Sequence, residues 1–229
     1  MKYVIGDLHG NFAALDALVA QLGLQAADEL IFLGDYLDKT SGTRETLARL
    51  HQLRAKHACT FLLGNHEYVW DQFLREGRED RREFLLHYGG LETLREFDPE
   101  PERLLEPERR KHLKDLLKDY LDLISACRPY VIVKGYLAIH AGLKPEQLNQ
   151  EPLVIEEANF FLRPERMDLE QKYLGRLVVV GGHTHLATEP ALHGGYLNID
   201  LGAGYGGYLA ALQIEQNTVI RSDGKRFEL

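Results

Sequence analysis

Apolar runs along the chain repeatedly end in a glycine or directly in a polar side chain. Residues 30–33 are apolar and lead into Gly34 and Asp35, a pattern that predicts a buried strand ending in a tight turn with a carboxylate just beyond it. In open α/β sheets, ligands bind beyond the carboxyl ends of the strands. We therefore expect the polar residues at these ends to lie close together. The other runs deliver Asp7, Asn65, His140 and His183.

Strand and helix patterns alternate in the first part of the chain. Asn11 is a predicted N-cap of the first helix, and Gly23 suits its C-terminal end. The order β-α-β-α-β predicts a parallel sheet with crossover helices. The predicted strands are 2–6, 30–34 and 59–63, and the predicted helices are 11–22 and 43–57.

The middle of the chain, about residues 69–128, is rich in Arg, Glu, Asp and Leu and short of β-branched residues. Leucine spacing predicts one amphipathic helix over 107–127. We interpret this segment as a helical insert that flanks or caps the site, with its charged residues forming a solvated face. The alternative is that the insert is a lid over the substrate.

Strand patterns return after residue 129, without helices between them. Residues 130–133 and 137–139 predict a hairpin, and the absence of crossovers implies a second, largely antiparallel sheet. The predicted fold class is therefore α/β, a four-layer α/β/β/α sandwich of two mixed sheets with flanking helices and the helical insert, in a single domain over 1–229. The remaining predicted strands are 177–181, 196–200, 207–214 and 218–221.

Composition excludes several classes of partner. The formal net charge is −8 and the sequence pI is about 5.7, which argues against nucleic-acid and anionic-membrane binding. The two cysteines form no CxxC pattern, which fits a reducing cytoplasm, and we expect neither a signal peptide nor a membrane span. Small phosphorylated substrates stay open, because a metal site supplies its own positive charge. Nothing in the sequence bears on the oligomeric state.

The polar residues at the strand ends form a set suited to metal ions. Carboxylate, imidazole and amide donors without thiolate favour manganese, our first choice, with iron or zinc as alternatives. A single histidine is more often a packing or surface residue, but five histidines lie at strand ends beside glycine. We expect a bridging Asp35 to hold two ions about 3.5–4 Å apart. One ion would take Asp7, His9, Asp35 and His185, and the other would take Asp35, Asn65, His140 and His183.

Five motifs, GDLHG, GDYLD, GNHE, IHAGL and GGHTH, occur in this order. Together they resemble the calcineurin-like metallophosphoesterases, and the detail is closer to the bacterial phosphoprotein-phosphatase branch. That branch holds serine/threonine phosphatases and symmetrical diadenosine-tetraphosphate hydrolases. Three further segments carry the resemblance, at 88–94, 160–163 and 198–207.

The resemblance implies a mechanism. A water shared by the two metals would lose a proton and attack phosphorus in line. His66 would protonate the leaving oxygen, and Asp38 would hold and polarise His66; the alternative for Asp38 is a helix cap. Arg163 would clamp phosphoryl oxygens, although a surface ion pair is an equal alternative.

Two positions depart from the pattern of that branch. Lys39 stands where the branch has arginine, so the charge is kept but the planar fork is lost. The last motif has two histidines, as in the wider superfamily, which implies that His185 completes the shell of the first metal.

We therefore predict a dinuclear enzyme that hydrolyses phosphomonoesters, with phosphoserine or phosphothreonine in proteins as the first choice of substrate. The alternative is a nucleotide hydrolase similar to the symmetrical bis(5'-nucleosyl)-tetraphosphatases. An alternative of another class is a non-catalytic metal-binding protein, against which the complete ligand set argues. The acidic charge makes a nuclease a weaker choice.

Overall fold

Two mixed β-sheets pack against each other at the centre of the molecule. The computed structural model describes residues 1–185 and 187–229. The strands in that part of the chain are β1 (Lys2–Ile5), β2 (Glu29–Phe32), β3 (Ala58–Phe61), β4 (Tyr130–Val133), β5 (Tyr136–Ile139), β6 (Val178–Gly181), β7 (Ala191–Leu192), β8 (Tyr196–Asn198), β9 (Ala210–Gln213), β10 (Thr218–Arg221) and β11 (Arg226–Glu228). The α-helices are α1 (Phe12–Leu22), α2 (Thr43–Lys56), α3 (Asn65–Asp71), α4 (Arg82–His87), α5 (Gly90–Leu94), α6 (Arg110–Leu116), α7 (Lys118–Ser125) and α8 (Glu157–Phe160).

The first sheet has the strand order β11-β10-β9-β1-β2-β3. Strands β1, β2 and β3 are parallel, as predicted. The assignment of 207–214 and 218–221 to the second sheet was wrong, because β9 pairs antiparallel with β1 and β10 pairs with β9. This pairing covers the backbone groups that β1 would otherwise expose as an edge strand.

The second sheet has the order β4-β5-β6-β8-β7. It is mixed rather than largely antiparallel, because β5, β6 and β8 run parallel while β4 and β7 run antiparallel to their neighbours. Parallel neighbours bring the ends of β5 and β6 to the same edge of the sheet. That edge carries the polar residues of the last two motifs.

Buried side chains divide the molecule into layers. Helices α1 and α2 and the insert pack on the outer face of the first sheet, and a second cluster lies between the sheets. A third cluster covers the outer face of the second sheet, where loops and short 3-10 turns take the place of long helices. The predicted arrangement of two mixed sheets with flanking helices is confirmed.

The ends of α1 are as predicted, since the Asn11 side chain accepts a hydrogen bond from the Ala14 backbone N–H at 3.0 Å and Gly23 adopts a left-handed conformation with φ 57°. The helix predicted over 107–127 differs, because it begins with a 3-10 turn and bends at Leu117 into α6 and α7. None of the helices in the described ranges is both long and apolar enough to cross a membrane.

The elements of the insert are all helices or helical turns, and the insert shares one hydrophobic cluster with β1, α1 and α2. Trp70, Phe73, Leu85 and Tyr120 are fully buried in that cluster. The insert is therefore packed against the first sheet and its helices, and its position relative to the strand ends is fixed.

Candidate metal centre

Asp35 lies just beyond the end of β2 and faces histidines on two sides. Its Oδ2 atom lies 3.4 Å from His9 Nε2 and 3.8 Å from His66 Nε2, while its Oδ1 atom lies 3.5 Å from His140 Nε2. Potential ligand atoms of Asp35, His140 and His183 all lie within 4.8 Å of one another, and so do those of His9, Asp35 and His66. Asp35 thus belongs to two adjacent clusters, as expected of a carboxylate between two cations.

An amide adjoins the cluster of Asp35, His140 and His183. Asn65 Oδ1 lies 2.9 Å from His140 Nε2 and 3.0 Å from His183 Nδ1. His140 Nδ1 donates to the Leu33 carbonyl at 3.1 Å, which leaves the lone pair of Nε2 directed at Asn65 and Asp35. These contacts bring the ends of β2, β3, β5 and β6 to one point.

The loop after β1 contributes His9 and an unpaired acceptor on Asp7. His9 Nδ1 lies 3.1 Å from the Leu37 carbonyl, to which it donates, so Nε2 is free to face Asp35. Asp7 Oδ2 accepts the His183 backbone N–H at 2.8 Å, but the buried Oδ1 has no hydrogen-bond partner among the described residues. A buried carboxylate oxygen without a partner fits a cation ligand.

His185 lies apart from both clusters. Its side chain is exposed, and its ring stacks on Tyr205 with centroids 4.6 Å apart and planes 20° apart. The structure brings Asp7, His9, Asp35, Asn65, His140 and His183 together and leaves His185 in the neighbouring wall. Its assignment to the first metal stays a prediction.

His66 and Asp38 form a buried pair. His66 Nδ1 donates to Asp38 Oδ2 at 2.6 Å, and the same carboxylate accepts from Trp70 Nε1 at 3.1 Å and from Thr93 Oγ1 at 2.5 Å. The helix-cap alternative for Asp38 fails, because the N-cap of α2 is Gly42. Asp38 therefore orients His66 so that Nε2 points toward Asp35.

Burial and charge divide the site into neutral and charged groups. Burial lowers the pKa of His9 and of His183 to about 3 in each case, so both rings are neutral near neutral pH. Burial raises the pKa of Asp35, but the surrounding histidines outweigh it and hold that pKa far below its usual range. Burial lowers the pKa of His66, yet Asp35 and Asp38 outweigh it and raise the pKa above its ordinary value. His66 is thus the histidine suited to carry a proton.

Glu67 is a positioning residue that sequence reasoning missed. Its Oε2 accepts the backbone N–H groups of Asp35 at 2.7 Å and Gly64 at 3.1 Å, and its Oε1 accepts from Tyr36 N at 3.0 Å and Tyr120 Oη at 2.6 Å. Burial, with Asp35 nearby, raises the pKa of Glu67 to about 7. An acidic residue directly after Asn65-His66 was the available signal.

Several site residues have positive φ angles, a backbone conformation that is unfavourable for residues other than glycine. Such residues cost roughly 1–3 kcal/mol each and persist where the surroundings hold them. The Asp35 carbonyl, for example, accepts the backbone N–H groups of Leu8 at 3.1 Å and His9 at 2.8 Å. The site is therefore held in shape by its loops. The positive φ angles are 49° at His9, 50° at Asp35, 71° at Asp38, 67° at Lys39 and 69° at His183.

A cavity of about 490 Å³ opens over the two clusters. The insert contributes Phe84 and Tyr88 to its wall, so the insert flanks the site. Arg163 is exposed at the cavity rim, and the Lys39 ammonium lies over the Tyr205 ring, 4.4 Å from its centroid. Both cations predicted to meet phosphate therefore line the cavity that contains Asp35 and His66.

Comparison with known proteins gives concordant results. The model of the family described as "Calcineurin-like phosphoesterase" matches residues 3–187. A curated relative from Geobacillus sp. (strain WCH70), named asymmetrical bis(5'-nucleosyl)-tetraphosphatase PrpE, is 27% identical over 92% of this chain and 89% of its own length. Among solved structures, the cold-active protein-tyrosine phosphatase of a Shewanella species is similar with a TM-score of 0.63 and 17% identity, covering 99% of this chain and 79% of the other. A serine/threonine phosphatase from Saccharomyces cerevisiae gives a TM-score of 0.58 at 14% identity, covering 100% and 79%.

Proposed function

The chain belongs to the calcineurin-like phosphoesterases, and from that premise we propose that it hydrolyses dinucleoside polyphosphates at a dinuclear metal centre. The observation that best supports a hydrolase activity is the position of Asp35, which belongs to two clusters of potential metal ligands at once. The complete set of donors argues against a non-catalytic protein that merely keeps the fold. We take residues 1–229 as one domain, because the insert shares a hydrophobic cluster with the first sheet.

The proposed ligands divide between two ions. Asn65, His140 and His183 would hold one ion, Asp7 and His9 would hold the other, and Asp35 would contribute to both. His185 as a further ligand of the ion at Asp7 and His9 stays a prediction. Bound ions would supply the Lewis acidity that activates water and offsets charge on the phosphoryl group. Manganese as the metal and the cytoplasm as the location stay predictions.

The remaining residues act on the substrate directly or through one another. His66, held by Asp38, would give its Nε2 proton to the oxygen that leaves phosphorus. Arg163 and Lys39, on the cavity wall, would bind phosphoryl oxygens.

The name of the curated relative supports a nucleotide as substrate. Asymmetrical cleavage of diadenosine tetraphosphate gives adenosine tri- and monophosphate, whereas symmetrical cleavage gives two diphosphates. We propose the asymmetrical reaction. The phosphoprotein substrate predicted from the sequence is the alternative, and the same assays test it.

Turnover by metal-loaded protein tests the proposal. Chelated protein would be reloaded with manganese, iron or zinc and assayed on diadenosine tetraphosphate and on a phosphoserine peptide, with products separated by chromatography. We expect the higher kcat/KM on the nucleotide and unequal products. No turnover with any of these metals would overturn the hydrolase, and a higher kcat/KM on the peptide would overturn the substrate.

Replacement of His66 tests its role. Because a positioned general acid contributes roughly 10²–10⁴-fold, His66→Asn should lower kcat by that factor while the bound metal, measured by elemental analysis, stays at the wild-type level. His87→Asn, on the exposed end of α4, is the matched control and should change neither quantity. Loss of metal from His66→Asn would identify His66 as a ligand instead.

A further inference from the structure

Tyr88 presents an exposed aromatic ring inside the wall of the catalytic cavity. The residue is 56% exposed, although its ring stacks on Phe84 with centroids 4.6 Å apart and planes 25° apart. Phe84 in turn lies edge-on to His66, with centroids 5.1 Å apart. The Tyr88 ring thus presents a large apolar face to water, and only the Phe84 ring lies between it and His66, the proposed acid.

Tyr205, which also lines the cavity, is exposed to a similar degree, but its ring already contacts other side chains. Its exposure is 59%, with His185 stacked on it and the Lys39 ammonium over it. Across the described part of the chain, the ring of Tyr88 has an aromatic neighbour on one side only. One face of the Tyr88 ring is therefore open within the cavity wall.

The segment that carries Tyr88 is fixed to the loop between β2 and α2, which contains Asp35 and Asp38. Gly89 adopts φ +100°, and its carbonyl accepts the backbone N–H of Lys39 at 3.3 Å. A Cβ atom at Gly89 would collide with the backbone nitrogen of Lys39, so only glycine permits this approach. Because Lys39 follows Asp38 directly, the ring has a set position relative to the pair of Asp38 and His66.

We propose that the open face of Tyr88 stacks the nucleobase of the nucleotide that leaves during the reaction. This inference rests on the proposed function, since it specifies how that site recognises its substrate. Base–aromatic stacking accepts any base and contributes substantially to nucleotide binding. Lys39 and Arg163 line the same cavity and suit the polyphosphate chain. The Phe84 ring contacts both His66 and Tyr88, with centroid distances of 5.1 Å and 4.6 Å, so only one ring separates the platform from the proposed acid.

The position of the platform beside His66 determines which bond of a dinucleoside tetraphosphate reacts. The water oxygen bonds to the second phosphorus, and the bond from that phosphorus to the oxygen bridging the first and second phosphorus atoms breaks. The bridging oxygen leaves with the nucleoside monophosphate, whose base lies on Tyr88, and takes the proton of His66. One dinucleoside tetraphosphate and one water thus give a nucleoside monophosphate and a nucleoside triphosphate that contains the water oxygen.

Equilibrium binding tests the platform without turnover. Metal-loaded wild-type protein should bind adenosine 5'-monophosphate roughly 5- to 100-fold more tightly than ribose 5-phosphate, which lacks the base. Tyr88→Leu should remove that difference and leave binding of ribose 5-phosphate unchanged, while Tyr88→Phe should keep it.

Three results would overturn the platform. Equal wild-type affinity for the two ligands would do so even if the enzyme is active, and hydrolysis of other phosphate esters would then leave the hydrolase proposal standing. A loss of ribose 5-phosphate binding in Tyr88→Leu would mean a structural role only. In heavy-oxygen water, label in the monophosphate instead of the triphosphate would contradict the leaving nucleotide on Tyr88.

Discussion

At the level of single residues, the site contains polar groups that weaken the fold without a cation. Asp7 is the clearest case, because one of its oxygens is buried without a partner among the described residues. Burial, with Asp200 and Asp35 nearby, raises its pKa well above the usual range. The ionised carboxylate is therefore disfavoured in the metal-free fold, and a cation would remove the penalty.

Replacement of this carboxylate should separate stability from metal binding. Burying an unpaired charge destabilises a fold, and asparagine removes that charge, so Asp7→Asn should raise the melting temperature of chelated protein by roughly 2–4 °C for each kcal/mol gained. Because the raised pKa makes the ionised form the unfavourable one, stability of the wild type is lost as pH rises through that pKa. The advantage of the variant should therefore grow with pH.

Thermal melts with chelator and with manganese measure both effects. Manganese should raise the melting temperature of the wild type more than that of Asp7→Asn. Asp115→Asn, on the exposed face of α6, serves as the control and should behave as wild type. A chelated Asp7→Asn protein that melts below the wild type would contradict the argument.

Residues that end a strand were predictable one by one. Asp7 and Asp35 follow apolar runs that can be recognised from the neighbouring residues alone. Glu67 was not predictable in the same way, because its role comes from accepting backbone N–H groups of a loop 32 residues away in sequence. Thr93, which donates to Asp38, is 55 residues away from its acceptor. Local pattern contains no information about such contacts.

At the level of elements, the insert supports the start of α2 through a residue just after α5. The N-cap of α2 is Gly42, which offers no side chain to the first turn. Glu96 fills this role from the insert, since its Oε1 accepts Gly42 N at 2.6 Å and Thr43 N at 2.5 Å and its Oε2 accepts Arg44 N at 3.1 Å. A negative charge at a helix N-terminus is also favourable.

Removal of this remote cap should destabilise the protein measurably. Loss of a capping side chain costs about 0.5–2 kcal/mol, so Glu96→Ala should lower the free energy of unfolding in urea by that amount. Glu92→Ala removes a glutamate from α5 that pairs with Arg95 at the surface, and should cost less than about 1 kcal/mol. Equal effects of the two substitutions would show that the cap contributes nothing beyond surface charge.

The insert and the later strands show where sequence patterns end for elements. Leucine spacing predicted the helical character of 107–127 but not the bend at Leu117. Helical hydrogen bonds from Leu117 N to Leu113 O and from Leu121 N to Leu117 O continue across the bend, so the leucine spacing is the same as in one straight helix. Likewise, the pattern of 207–214 predicts a strand but not its partner. The pairing of β9 with β1 joins residues more than 200 positions apart and depends on the whole fold.

At the level of the whole molecule, the two sheets are joined at the end of β9 as well as through the core. Glu215 Oε2 accepts the backbone N–H of Lys2 in β1 at 2.8 Å, and its Oε1 accepts from Lys134 Nζ at 2.7 Å. Lys134 lies in the turn between β4 and β5, so one carboxylate connects the first sheet to the second. Burial raises the pKa of Glu215, but the hydrogen bonds from Lys134 and Lys2 outweigh it and lower the pKa from 4.5 to about 2.

This connection should make stability depend on pH in the acid range. A lowered pKa means that the ionised carboxylate stabilises the fold above about pH 4.5, and that this contribution is lost as pH falls toward about 2. Glu215→Gln should therefore be less stable than wild type near neutral pH, by less than about 1 kcal/mol because the pair is partly exposed. The difference should shrink in urea titrations carried out at successively lower pH. Lys134→Met, alone and combined with Glu215→Gln, completes a double-mutant cycle. If the difference in stability between wild type and Glu215→Gln stays the same in acid, the effect comes from packing and not from the charge that joins the sheets.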